Sequence, residues 1–228
     1  MPEEVWVFDV EGTLTTGETW QGVGRWLEQN GRRAAYRRFF LAHLPGAMLA
    51  KGGLIDKRRY QNKWMQDLAG LFAGAPEAEV GAMAAWVVDQ ELWPQQREDV
   101  LAELHGGLAR GVRVVLASGT YQPVLEAFAR RLGPEVEALG TPFVCVDGVC
   151  PQNPAGEVNV AAVKARRVRE HLGGRAPDRA YGDTASDRYL LELAREAVAV
   201  YPDRRLAQLA QERGWRVLSQ GSAGGRFG

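Results

Sequence analysis

The chain is predicted to be an α/β protein, a doubly wound, mostly parallel Rossmann-like sheet with a small α-helical cap inserted after the first strand. Three observations predict this. Val5-Trp6-Val7-Phe8 is a run of β-formers that ends in Asp9, as a buried parallel strand does when it carries a side chain to a ligand crevice. Residues 15–92 contain apolar residues at three-to-four spacing and no convincing strand, the pattern of packed helices. From residue 93 onward strands and helices alternate, which implies parallel strands with helical crossovers.

Taken in order, the insert reads as helices over 20–29, 32–44, 55–72 and 77–90, punctuated by Gly31, Pro45-Gly46, Gly52-Gly53 and Gly74-Ala75-Pro76. Pro94 opens a helix that runs to Ala109, and Val112 to Ala117 is a second buried strand ending in Ser118-Gly119-Thr120. A helix over 123–132 stops at Gly133. Asp147-Gly148 between short apolar runs predicts a hairpin over 143–149, which places Cys145 and Cys150 near each other. They are read as reduced thiols. Asn159 is expected to cap a helix to Leu172. Short strands over 179–182, 197–200 and 215–218 enclose helices over 186–195 and 203–213. The division expected is a core of 1–14 and 93–228, a cap of 15–92, and a disordered tail of 219–228.

Composition narrows the function. Lys plus Arg and Asp plus Glu number 28 each, so no global field recruits nucleic acid or an anionic membrane. No apolar run reaches the length of a membrane span, and Pro2-Glu3-Glu4 is unlike a signal peptide. A cytoplasmic protein, monomer or homodimer, without membrane insertion is the expectation. Arg32-Arg33-Ala34-Ala35-Tyr36-Arg37-Arg38-Phe39-Phe40 reads as a solvated cap face with aromatics left to pack, the alternative being a membrane-surface or anionic-ligand face. Tryptophans at 20, 26, 64, 86 and 93 are assigned to the cap core or its seam, and His43, His105 and His171 to structural roles.

The predicted strand ends collect one kind of chemistry. Asp9 and Glu11 follow the first strand, Ser118-Gly119-Thr120 the second, and Asp183 a later one, with Asp187 four residues on. Lysine is rare in this arginine-rich chain. Three of its four lysines lie between 51 and 63, which leaves Lys164 alone in the remainder. Carboxylates with hydroxyls and an ammonium suit Mg²⁺ and phosphate, because hard oxygen ligands hold Mg²⁺ while N–H and ammonium groups bind phosphate oxygens.

These motifs, Asp9-Val10-Glu11-Gly12-Thr13-Leu14-Thr15, Ser118-Gly119-Thr120, Lys164, and Gly182-Asp183-Thr184-Ala185-Ser186-Asp187, resemble the haloacid dehalogenase superfamily in order and spacing. The similarity extends over about 5 to 218, and more narrowly to the phosphoserine-phosphatase-like branch with a helical cap. The resemblance implies a Mg²⁺-dependent phosphatase acting on a small phosphorylated metabolite. Asp9 would be the nucleophile and Glu11 the acid–base. Ser118, Gly119 and Lys164 would hold the phosphoryl group, and Asp9, the Glu11 carbonyl, Asp183 and Asp187 the metal. Most members carry Asp where Glu11 stands, although enolase-phosphatases have Asp-x-Glu. For the leaving group the resemblance offers Glu18, with Lys63 or the Arg58-Arg59 pair. A phosphotransferase acting on an alcohol acceptor and a non-catalytic phosphate-binding module are the alternatives.

Overall fold

Val5, Trp6, Val7 and Phe8 are all buried, which requires cover on both faces of the sheet they join. The computed structural model describes residues 4–219. Among these, parallel strands run β1 Val5–Phe8, β2 Arg113–Tyr121, β3 Glu137–Thr141, β4 Arg179–Gly182, β5 Glu196–Val200 and β6 Arg216–Leu218. Their spatial order is β3-β2-β1-β4-β5-β6. The expected tail lies outside the described residues apart from Ser219.

Alternation along the strands sorts side chains into two cores. Trp6, Phe8, Val114, Leu116, Tyr181 and Val198 face one side, where Phe8 and Tyr181 stack at 4.0 Å. Val5, Val7, Val115, Ala117, Ala180 and Ala199 face the other. On the second side lie α7 Ala161–His171, α8 Arg188–Leu193 and α9 Arg204–Arg213, through Val168, Leu190 and Leu206. On the first side lie α5 Glu98–Leu108 and α6 Gln122–Leu132, together with the helical segment between β1 and β2.

That segment contains α1 Thr19–Gln29, α2 Arg33–Lys51, α3 Lys57–Ala69 and α4 Glu77–Val87. It shares one apolar cluster with the sheet, through Trp26, Leu68, Phe72 and Met83. Backbone pairing also straps it to the loop after β3: Gly74 N–H donates to the Cys150 carbonyl and Cys150 N–H to the Ala75 carbonyl, each at 2.9 Å. A wide π turn over 88–92 ends the segment. Next to it, the Thr15 hydroxyl donates to the Leu92 carbonyl at 2.6 Å.

Several expectations are corrected. Pro45 does not end α2, which continues to Lys51. Proline removes one intrahelical donor, and this stretch is exposed, so water can serve the freed carbonyl. Gly46 meanwhile admits the Tyr60 ring, which would lie 2.5 Å from a Cβ there. The helix expected from Pro94 starts at Glu98, after a short 3₁₀ turn over 93–95. Ser118-Gly119-Thr120, expected just beyond the strand over 112–117, continues β2 to Tyr121. The hairpin over 143–149 shrinks to one bridge, Val146 with Val149, around Asp147 and Gly148 at positive φ. β3 has no counterpart in the sequence reading, because Glu137-Ala138-Leu139-Gly140-Thr141 lacks a β-forming run. The two cysteines are free, and burial with the neighbouring Cys145 pushes the Cys150 thiol up to about 12.

Candidate active site

β1 leads to β2 on one side, and the chain later recrosses so that β4 lies on the other side of β1. At such a reversal the loops beyond the strand ends diverge and leave a crevice. Asp9 stands at its floor, since its N–H still donates to the Tyr181 carbonyl at 3.0 Å as one more rung of the β1–β4 ladder. The chain then winds tightly, with the N–H groups of Thr13, Leu14 and Thr15 all directed at the Val10 carbonyl. Gly12 has φ +88°, and a Cβ there would lie 2.0 Å from Asp183 Oδ2. Only glycine lets the two loops approach this closely.

Asp9, Asp183 and Asp187 each offer a carboxylate oxygen within 4.8 Å of the others. Lys164, buried on α7, donates from Nζ to Asp9 Oδ1 at 2.6 Å and to Asp187 Oδ1 at 2.7 Å. Asp187 is aimed by a capping box: its Oδ2 accepts from the Thr184 N–H at 3.1 Å and from the Thr184 hydroxyl at 2.9 Å. This leaves Oδ1 for the ammonium. Gly182 makes room, because a Cβ would stand 2.6 Å from the Asp187 Cβ. The Thr13 hydroxyl is within 3.3 Å of Asp9 Oδ2 and 3.4 Å of Asp183 Oδ1.

Three carboxylates around one ammonium leave an excess of negative charge in a dry site. Burial raises Asp9 from the ordinary 3.8 to about 7, opposed by Lys164 and reinforced by Asp187. Burial, Asp9 and Asp187 raise Asp183 to about 8. Burial disfavours the Lys164 ammonium, but Asp187 and Asp9 outweigh it and shift its pKa upward. The donor set is all oxygen and closely spaced, and among the described residues no histidine or cysteine joins it. It fits a hard divalent cation that retains some of its waters.

The Glu11 carboxylate lies outside this trio. Its Oε1 accepts from the Thr19 N–H at 2.7 Å and from the Thr120 hydroxyl at 2.9 Å, and the two threonine hydroxyls are 3.0 Å apart. Burial raises its pKa against these hydrogen bonds. Ser118 is buried on β2, its Oγ 3.3 Å from the Thr120 N–H. Asn159 does not cap α7, whose N-cap is Val160. Its side-chain amide instead donates to the carbonyls of Ser118 at 3.2 Å and Leu139 at 2.6 Å, which braces the Ser118–Gly119 segment. A Cβ on Gly119 would stand 2.8 Å from Val160 Cγ1.

Sequence reading thus found Asp9, Ser118, Lys164, Asp183 and Asp187, all at the same end of the sheet. It gave no role to the side chains of Thr19 and Thr120, and it gave Asn159 a helix cap that the structure replaces with the brace on Ser118. Their only trace was a hydroxyl in the second motif and an Asn ahead of a helix. The four residues offered for the leaving group are scattered in their contacts. Glu18 bonds Gln21, Lys63 pairs with Asp67, and the Arg59 N–H is capped by Asp56. Arg58 lies near Tyr189, two residues beyond Asp187, and after Arg188 it helps to lower that phenol.

An acidic trio beside a buried lysine at the switch point of a parallel sheet defines an α/β Rossmann-like protein whose crevice holds a donor set that fits a hard cation. A family model described as haloacid dehalogenase-like hydrolase matches residues 6–192, and the chain belongs to that family of hydrolases. Phosphoserine phosphatase SerB1 of Mycobacterium tuberculosis (strain ATCC 25618 / H37Rv) is 32% identical over 222 residues, covering 92% of this chain and 68% of its own length. Protein CicA of Caulobacter vibrioides (strain NA1000 / CB15N) is 30% identical over 198 residues, covering 83% and 82%. Among solved structures, a protein of unknown function from Bordetella pertussis Tohama I superposes with a TM-score of 0.80 at 23% identity, covering 96% of this chain and 99% of that one. A phospho-aspartyl intermediate analogue of phosphoserine phosphatase superposes with a TM-score of 0.60 at 17% identity, covering 96% and 93%. These structural likenesses concern the fold.

Proposed function

We propose that this hydrolase is a Mg²⁺-dependent phosphatase that cleaves a small phosphomonoester, of phosphoserine-like type, through an aspartyl-phosphate on Asp9. The observation that carries the reading is the Lys164 ammonium shared between Asp9 and Asp187, with Asp183 alongside. Such a centre offers a carboxylate nucleophile, a cation seat and a positive charge for phosphate oxygens. The relative named phosphoserine phosphatase supports the substrate class.

Asp9 Oδ attacks phosphorus while the bond to the ester oxygen breaks, and Glu11 gives its proton to that leaving oxygen. Glu11 then takes a proton from the water that attacks the phosphoryl group, and the acyl-phosphate bond breaks to release phosphate and restore Asp9. Ser118 and the Gly119 N–H orient the phosphoryl oxygens, and Lys164 offsets their charge. Asp9, the Glu11 carbonyl, Asp183 and Asp187 would hold Mg²⁺, which when bound screens the carboxylate from the anionic phosphate. Helices α1 to α4 serve as the cap that excludes bulk water and reads the leaving group.

The test is steady-state turnover on a phosphomonoester panel that includes phosphoserine, with Mg²⁺ present. Phosphate release by the wild type, lost in Asp9→Asn, is the expected outcome. An inactive wild type across the panel sinks the proposal. Product analysis with an added alcohol separates hydrolysis from phosphoryl transfer.

A further inference from the structure

Helix α2 leaves large apolar side chains in solvent. Its inward stripe is Phe39, His43, Gly46 and Ala50, at spacings of four, three and four. Only Phe39 among these is large and apolar, packed on Trp64 at 4.9 Å. The opposite stripe, at the same spacing, is Arg37, Leu41, Leu44 and Met48. Leu41 is 67% exposed and Met48 66%. The apolar surface continues past the helix into Leu54, 76% exposed. Isolated exposed leucines are ordinary, but a contiguous row on one helix marks an interaction surface.

The charges beside it indicate the partner. From Arg32 to Lys63 there are nine lysines and arginines and one acid, Asp56, in a chain that is neutral overall, so this segment is strongly basic and the remainder acidic. Among the described residues, Arg33, Arg38, Lys51 and Lys57 have no ion-pair partner, and all four are exposed. On the helical wheel Arg33 and Lys51 flank one side of the stripe and Arg38 the other. A second copy of this face would bring the same positive field against itself. An apolar strip between basic flanks instead suits a lipid surface with anionic headgroups, where the leucines enter the acyl boundary and the cations meet phosphates.

We propose that the α2 face, from Arg33 to Leu54, docks the protein peripherally on anionic membranes, with α2 lying in the interface. The solvated face read over Arg32 to Phe40 holds for Arg33, Arg37 and Arg38, which are exposed, with Phe39 packed; the leucine–methionine stripe lies beyond that stretch.

The experiment is co-sedimentation of the full chain with vesicles of phosphatidylglycerol and phosphatidylcholine in equal parts, against vesicles of phosphatidylcholine alone. Two double variants accompany the wild type: Leu41→Asp with Met48→Asp, and Arg33→Glu with Arg38→Glu. The wild type is expected to bind the anionic vesicles and to be released by salt. Each double variant should lose about tenfold or more in apparent affinity, with an unchanged thermal midpoint showing that it folds. Failure of the wild type to bind, equal binding to neutral vesicles, or unchanged binding by either double variant overturns the proposal. So does a concentration-dependent dimer dispersed by Leu41→Asp with Met48→Asp, which would assign the face to a second copy. The readout is binding rather than turnover, so its result is independent of the phosphatase assay.

Discussion

The Glu11 carboxylate caps helix α1, accepting a hydrogen bond from the Thr19 N–H at 2.7 Å. Glu18, in the N-cap position, makes no capping bond of its own. The acid proposed to serve the leaving group therefore also anchors the first helix of the insert, and its extra methylene relative to aspartate gives it the reach.

The two roles of Glu11 separate by substitution. Gln at position 11 retains an oxygen for Thr19 and Thr120 but has no titratable proton to transfer. Glu11→Gln is expected to lower kcat by about 10²–10⁴-fold with little change in thermal midpoint. Glu11→Asp retains the acid but falls short of α1, with an expected stability loss of about 1 kcal/mol. Paired kinetic and unfolding measurements check this. Equal effects of both variants on both quantities would count against it.

Lys164 is the sole cation bonded to Asp9 and Asp187 among the described residues. Lys164→Met leaves two buried carboxylates facing each other. It is expected to cost about 3–5 kcal/mol in a metal-free urea titration. Lys164→Arg does not restore activity, because a planar guanidinium does not replace a compact ammonium in a closed site.

Gly12→Ala places a methyl at φ +88° and within 2.0 Å of Asp183 Oδ2. The loops must separate, and Asp183 must leave the trio. Loss of Mg²⁺-induced thermal stabilisation is the expected result, read by thermal shift with and without the ion. Full retention of that shift would show that Asp183 is not needed to hold the cation.

The pH dependence has a definite sign. Asp9 rises from 3.8 to about 7 and Asp183 to about 8 on folding. Between the unfolded and folded values the folded, metal-free chain binds more protons than the unfolded one. Its stability therefore decreases as pH rises through that window. A bound divalent cation favours the ionised carboxylates, so Mg²⁺ should raise the thermal midpoint more at about pH 8 than at about pH 5. An equal or opposite trend would place the cation elsewhere.

Much of this was legible in one dimension. β1, β4 and β5 are apolar runs bounded by acids or glycines, and α9 starts at a capping Asp203, so local chemistry specifies them. The carboxylates, Ser118 and Lys164 were legible because each residue type is tied to a strand end or stands out in an arginine-rich chain. β3 was not, since its Glu, Ala and Gly acquire strand geometry only by pairing with β2.

What only the tertiary structure decided are relationships between distant segments. Thr19 and Thr120, 101 positions apart in numbering, meet on Glu11. Asn159 braces the Ser118 carbonyl rather than its own helix. The face of α2 that meets solvent carries Leu41, Leu44 and Met48 among its basic residues. Periodicity reveals that a helix has faces. Which face is buried depends on what packs against it, and here Tyr60, Trp64 and Asp67 of α3 engage the side carrying Gly46, Phe39 and His43. The leucines are left outside.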